Sequence, residues 1–198
     1  LPFSSEAFTI NTTNWTGTES SVWNFSGNWD NGIPTSSSLA KVPDAIISPI
    51  ISSKIGAFVG NLIINNGETL TINSANSISI SGLLTVNGSF HMNSSSSLII
   101  SGASTGNITY NRTLVSSNWH LISSPLKDET INDLISNHNF DTGTGSNINL
   151  STYNTLDDTW SYMTATSSGT IISGIGYAVK LTSAGEISFT GNMKVDNT

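Results

Sequence analysis

Trp160 and Tyr162 stand two positions apart, one residue after the adjacent acids Asp157 and Asp158, with Tyr153 a few residues earlier. In a β-strand that spacing places both rings on one face. Aromatic rings stacked on sugar C–H faces, backed by carboxylates that accept from hydroxyls, are a common physical solution to glycan binding. The same alternation also describes the inner face of a sandwich, so the two rings are either an exposed recognition face or core. Adjacent acids on a strand point to opposite faces and cannot form a general acid and base pair. In a turn, Asp157 and Asp158 could both join a Ca²⁺ shell or simply be solvated.

Other chemistry is sparsely provided for. His91, His120 and His138 show no metal-ligand spacing, and the chain has no Cys to join them. Gly143 and Gly145, in Asp141-Thr-Gly-Thr-Gly, lack the strand-to-helix context of a phosphate site and read as a flexible loop. No Gly-x-Ser-x-Gly nucleophile motif occurs. Between Asn61 and Gly102 the only formally charged residue is Glu68, whereas β-helix lyases and hydrolases need clustered carboxylates, or a metal with a base, on one face. The expectation is a non-enzymatic protein without a cofactor. Thirteen acids against six bases leave bound Ca²⁺ plausible without indicating it.

Composition narrows the class further. Only 10% of the 198 residues are charged, while Ser, Thr and Asn number 35, 24 and 23. Such a polar, uncharged, turn-rich composition suits an all-β fold and neither a helical protein nor a charged disordered tail. The net charge of -7 reflects a scarcity of bases, five Lys and Arg112, so few phosphates could be neutralised, which argues against nucleic acid or an anionic membrane as a partner. No apolar run approaches the length of a membrane-spanning helix. The opening at Leu1, without Met or a basic leader, reads as a mature chain after signal-peptide removal. Eight Asn-x-Ser/Thr sequons occur, and 59 Ser plus Thr would give roughly seven by chance, so they carry no glycosylation signal.

The elements that must position these residues announce themselves by repetition. Residues 73–82, NSANSISISG, and 93–102, NSSSSLIISG, are one decapeptide written twice at an offset of 20, about one coil of a β-solenoid. Short triplets such as Leu70-Thr71-Ile72, Ile78-Ser79-Ile80 and Phe90-His91-Met92 have apolar outer positions, which one strand face would bury, leaving His91 outward. Three triplets per coil make a triangular parallel β-helix; an antiparallel meander of the same strands is the alternative. Leu62 to Gly67 falls on Leu84 to Gly88 at 21 or 22, an indel that a turn absorbs.

Near Gly102 to Gly106 the repeat stops, and longer strands are predicted over 108–115, 119–123, 150–154, 159–164, 170–181 and 186–190. A short helix is predicted over 130–136, with Thr130 as N-cap and Asp133 near N3. Trp119, in the run Trp119-His-Leu-Ile, is expected in the core. The organisation is therefore a Trp/Gly-rich cap (1–41), β-helix coils (42–105) and a β-sandwich-like domain (106–198) that covers the open end of the coils. In the cap, Trp15, Trp23 and Trp29 lie among few other apolar residues and are expected to cover the first coil.

Trp15-x-Gly17, Trp23, and Gly27-Asn-Trp29-x-x-Gly32-x-Pro34 are followed by coils of the form Asn61-Leu-x-Ile-x-x-Gly-x-x-Leu70-x-Ile72. This order resembles the start of many large secreted proteins of Bacteroidota. The pieces Gly106-Asn-Ile-Thr-Tyr-Asn-Arg112, Trp119-His-Leu-Ile-Ser-Ser-Pro125, Gly174-Ile-Gly-Tyr-Ala-Val179 and Phe189-Thr-Gly191 are similar to a module that often follows those coils. The resemblance covers nearly the whole chain. It implies a cell-surface adhesin or envelope fibre exported by type IX secretion machinery, with glycans or other surface proteins as partners, and sometimes a polysaccharide-degrading enzyme attached. The sorting domain of such cargo is not within these residues, so the expectation is a fragment or processed product of a larger protein.

Overall fold

The computed structural model describes residues 10–193. Eleven short strands come first: β1 (Thr12–Asn14), β2 (Leu39–Val42), β3 (Ile50–Ile51), β4 (Ala57–Val59), β5 (Asn61–Ile64), β6 (Thr69–Ile72), β7 (Ser77–Ile80), β8 (Leu84–Val86), β9 (Ser89–Met92), β10 (Ser97–Ile100) and β11 (Ser104–Thr105). They wind into a β-solenoid of about three turns. One face stacks β1-β2-β5-β8-β11, a second β3-β6-β9, and a third β4-β7-β10. All of these neighbours are parallel, so the antiparallel meander is excluded.

The register follows the repeat. Ser77 pairs with Ser97 and Thr69 with Ser89, both 20 apart, whereas Leu62 pairs with Leu84 at 22. The outer residues of each triplet point inward: Leu62, Ile64, Leu70, Ile72, Ile78 and Ile80 are buried. Each such side chain contributes roughly 1.5–3 kcal/mol of hydrophobic stabilisation. At one corner the backbones of Gly60, Gly82 and Gly102 stack, with Gly82 N–H donating to Gly60 O (2.6 Å) and Gly102 N–H to Gly82 O (3.1 Å). A Cβ on Gly102 would lie closer than 3.0 Å to the Gly82 carbonyl, which explains why the decapeptide ends in glycine both times.

Before β2 the chain adds a partial coil. Trp15, Trp23 and Trp29 are buried and in mutual contact, with centroid separations of 6.2, 5.2 and 4.7 Å. The Trp15 indole donates to Ile47 O (2.7 Å) and that of Trp29 to Trp23 O (2.8 Å). Beneath them the buried Asn28 accepts from Glu19 N and Ser20 N and donates to Val22 O, satisfying the loop that carries the rings.

The remaining elements are β12 (Ile108–Leu114), β13 (His120–Ile122), β14 (Leu126–Lys127), α1 (Ile131–Asn137), β15 (Asn147–Asn154), β16 (Thr159–Thr164), β17 (Tyr177–Val179) and β18 (Gly185–Met193). The second solenoid face continues without a gap into β12, parallel to β9 through Thr109↔His91. It then turns antiparallel: β12 pairs with β18 over seven residues and β18 with β14. The change of module at the end of the coils is thus a change of pairing direction within one sheet. Opposite it lies a four-stranded antiparallel sheet, β13-β17-β15-β16. Leu114, Leu150, Val179, Ile187 and Phe189 from these sheets join the solenoid interior in one hydrophobic cluster.

Local predictions in this half hold unevenly. Thr130 caps α1 by accepting from Asp133 N (3.0 Å), and Asp133 accepts from the Thr130 hydroxyl in return (2.6 Å). The strand predicted over 170–181 is broken by Gly174 at φ +84, which leaves a bridge at Thr170 and the short β17. No helix of the described residues is long and apolar enough to cross a membrane.

Candidate functional site

The β15–β16 hairpin carries most of the sequence-predicted candidates. Tyr153 pairs directly with Trp160, and Ser151 with Tyr162. Trp160 and Tyr162 share one face, as their spacing requires, and that face is outward: Trp160 is 46% and Tyr162 42% exposed. Of the two readings the sequence left open, exposure is the one observed. Tyr153, 43% exposed, tilts against Trp160 at 4.9 Å between centroids.

Trp119 was expected in the core, and the structure corrects this: it is 46% exposed and meets Tyr162 edge to face at 6.3 Å. The reason is the phase of the neighbouring strand. In β13 the buried Ile122 faces the interior, which turns its neighbour Leu121 outward on the same side as the exposed rings. One cross-strand row, Leu121↔Ala178↔Ser151↔Tyr162, therefore spans all four strands. Its middle members Ala178 and Ser151 are buried, and its ends are exposed. Trp119, Leu121, Trp160 and Tyr162 wall a cleft of about 320 Å³ over that floor. Leu121, Ser151 and Ala178 carry no individual signal in the sequence; only the sheet register brings them together.

Asp157 and Asp158 occupy the turn between the strands, at the tip of the hairpin. Asp158, at φ +56, accepts from the Tyr153 phenol, a bond that together with slight desolvation holds the phenol above its ordinary range. Asp157 accepts from the Thr159 hydroxyl (2.7 Å). The two acids thus steady the aromatic hairpin. Among the described residues no three His, Asp or Glu side chains gather into a group that could hold a metal ion.

The other titratable candidates have local partners. His120 Nε2 contacts Ser116 O (3.0 Å); His138 bridges Leu134 O through Nδ1 and Ser188 N–H through Nε2, tying the end of α1 to β18. His91 is half-buried in β9 beside Thr71 and Thr109. The segment read as a flexible loop is a closed turn, with Gly143 N–H donating to Asn147 O (2.8 Å) and Thr142 bridging Ile148. Asp141 there accepts from Lys180 Nζ (2.6 Å), which holds its carboxyl below the usual range. Glu68, the one acid between Asn61 and Gly102, is buried and accepts from Ala45 N (3.3 Å).

No curated protein and no solved structure matches the sequence significantly. A family model described as a domain of unknown function, DUF8693, matches residues 14–198, from the residue before Trp15 through both modules. The chain belongs to that family.

Proposed function

We propose that the chain is a non-enzymatic, extracellular adhesive module of a larger secreted bacterial surface protein, in which a β-helical stalk presents a glycan-recognition face. The joint exposure of Trp119, Trp160 and Tyr162 around one cleft, with the exposed Tyr153 against Trp160, carries this reading. A monomeric domain ordinarily buries its large rings, and a cluster of them left half in water on a rigid sheet is the arrangement that stacks sugar rings. The stacked parallel ladders give the stalk stiffness, so the face is held away from the point of attachment.

Three of the acids have structural tasks, Asp158 holding Tyr153, Asp157 holding Thr159 and Glu68 accepting from a backbone N–H, which favours recognition over catalysis at the hairpin and in the coils. Cell-surface location and export through the envelope secretion machinery rest on the resemblance of the tryptophan motifs and coils. The same exposed rings support a second reading, a carbohydrate-binding module attached to a polysaccharide-degrading enzyme.

Binding of the purified chain to a panel of soluble polysaccharides, with and without Ca²⁺, tests the proposal. Retention on at least one polymer, lost in a folded Trp160→Ala variant, is expected. Absence of retention on every polymer, or retention unchanged in Trp160→Ala, would sink it.

A further inference from the structure

The floor of the aromatic cleft holds a polar atom that the fold leaves unused. Ser151 is 0% exposed, and its Oγ has no hydrogen-bond partner among the described residues. A hydroxyl taken out of water without a partner is destabilising, and Ala178, its neighbour in the same row, shows that a residue without a hydroxyl occupies this floor equally well. Ser151 lines the cleft together with Trp160 and Tyr162, directly opposite Tyr162 across the strand pair. An occupant that brings a hydroxyl to this point would supply the missing partner.

Charge limits what that occupant can be. Among the described residues the cleft is lined by no Lys or Arg, and His120, its one basic lining residue, has Nε2 3.0 Å from Ser116 O. The chain's one arginine, Arg112, stands with Ser74, Ser94 and Thr113 in a second groove, and His120 lines both. At the other end, the Asp157 and Asp158 carboxylates crown the hairpin next to the Tyr153–Trp160 pair. A carboxylate or sulfate in the cleft would thus meet no lysine or arginine, and two carboxylates at the hairpin tip.

Building on the glycan reading above, we propose that the cleft takes a neutral pyranose residue, stacked on the exposed rings, with one ring hydroxyl hydrogen-bonded to Ser151 Oγ. Uronic and sulfated sugars are rejected. Reaching Oγ requires the flanking rings to part by a rotamer adjustment, which half-exposed side chains make on a nanosecond timescale.

Calorimetric titration of the full chain with two sets of hexasaccharides tests this. The neutral set is gluco-, manno- and xylo-oligosaccharides; the anionic set is oligogalacturonate and a heparin fragment. At least one neutral member should bind roughly tenfold or more tightly than either anionic one. Ser151→Ala should weaken that binding about three- to tenfold, the range of one hydrogen bond, while its melting temperature stays equal to or above that of the parent chain. The near-isosteric Ser151→Cys repeats the comparison with a weaker donor and should lie between the two. Anionic members binding as tightly as neutral ones, Ser151→Ala binding with undiminished affinity, or Ser151→Ala melting lower would each overturn the inference while leaving the glycan reading in place. Binding of neither set would remove the glycan reading and the inference together.

Discussion

Replacing Glu129 by Gln should abolish a loss of stability that the parent chain suffers between about pH 4.5 and pH 7. Glu129 lies just after β14, 5% exposed, with Oε2 buried and unpartnered. Burial raises its pKa from 4.5 to about 7; the Thr190 backbone N–H opposes the rise, and the Asp133 charge adds to it. Below the unfolded value the side chain is protonated in both states and costs nothing. As pH climbs toward 7 the unfolded chain releases its proton first, so stability falls, and above 7 the penalty is constant. At about 1.4 kcal/mol per pKa unit, the rise corresponds to about 3 kcal/mol, or roughly 6–12 °C in melting temperature for a chain of this size. Other shifted groups act outside this window. Asp30 and Asp141, held below 3.8, stabilise above that value and lose their contribution in acid, and Tyr153, held above 10, loses its contribution only in strong alkali. Urea unfolding of the parent and Glu129→Gln at half-unit steps from pH 4 to 8 measures the difference directly. Equal pH slopes in the two proteins would refute the reasoning.

Three substitutions probe the coils and the cap of α1. Gly102→Ala pushes a Cβ into the Gly82 carbonyl and should cost roughly 1–3 kcal/mol in denaturant unfolding. Ala75→Gly, two residues into the first copy of the decapeptide, should instead stabilise by up to about 1 kcal/mol, because Ala75 sits at φ +60 where glycine is unstrained. Thr130→Ala removes the acceptor for Asp133 N and should lower stability by about 1 kcal/mol by the same assay.

The coils were legible because repetition writes their geometry into the chain. The offset of 20 between the decapeptides is the register Ser77↔Ser97, and the alternation in Ile78-Ser79-Ile80 is the inward and outward alternation of β7. Strand-level features of the second half were legible where one local rule decided them, as at Thr130 and Asp133, or in β16, whose bounds match the predicted 159–164. Features set by partners were not. Trp119-His-Leu-Ile looks like a core run, yet pairing with β17 fixes its phase so that Ile122 is inside and Leu121 outside. Ser151 is one of 35 serines and becomes distinctive only when β17 and β16 enclose it. Whether Trp160 and Tyr162 face water depended likewise on which side of their sheet the core occupies, a matter of tertiary packing.

The central claim is that the exposed rings of the four-stranded sheet form a recognition face, and the most direct test is an affinity comparison on the tightest-binding polysaccharide of the panel. Trp119→Ala, Trp160→Ala and Tyr162→Ala should each weaken binding roughly tenfold or more, as hot-spot aromatics do, with melting temperatures close to that of the parent chain. Undiminished affinity in all three, or a loss of affinity that follows a collapse in melting temperature, would contradict the account.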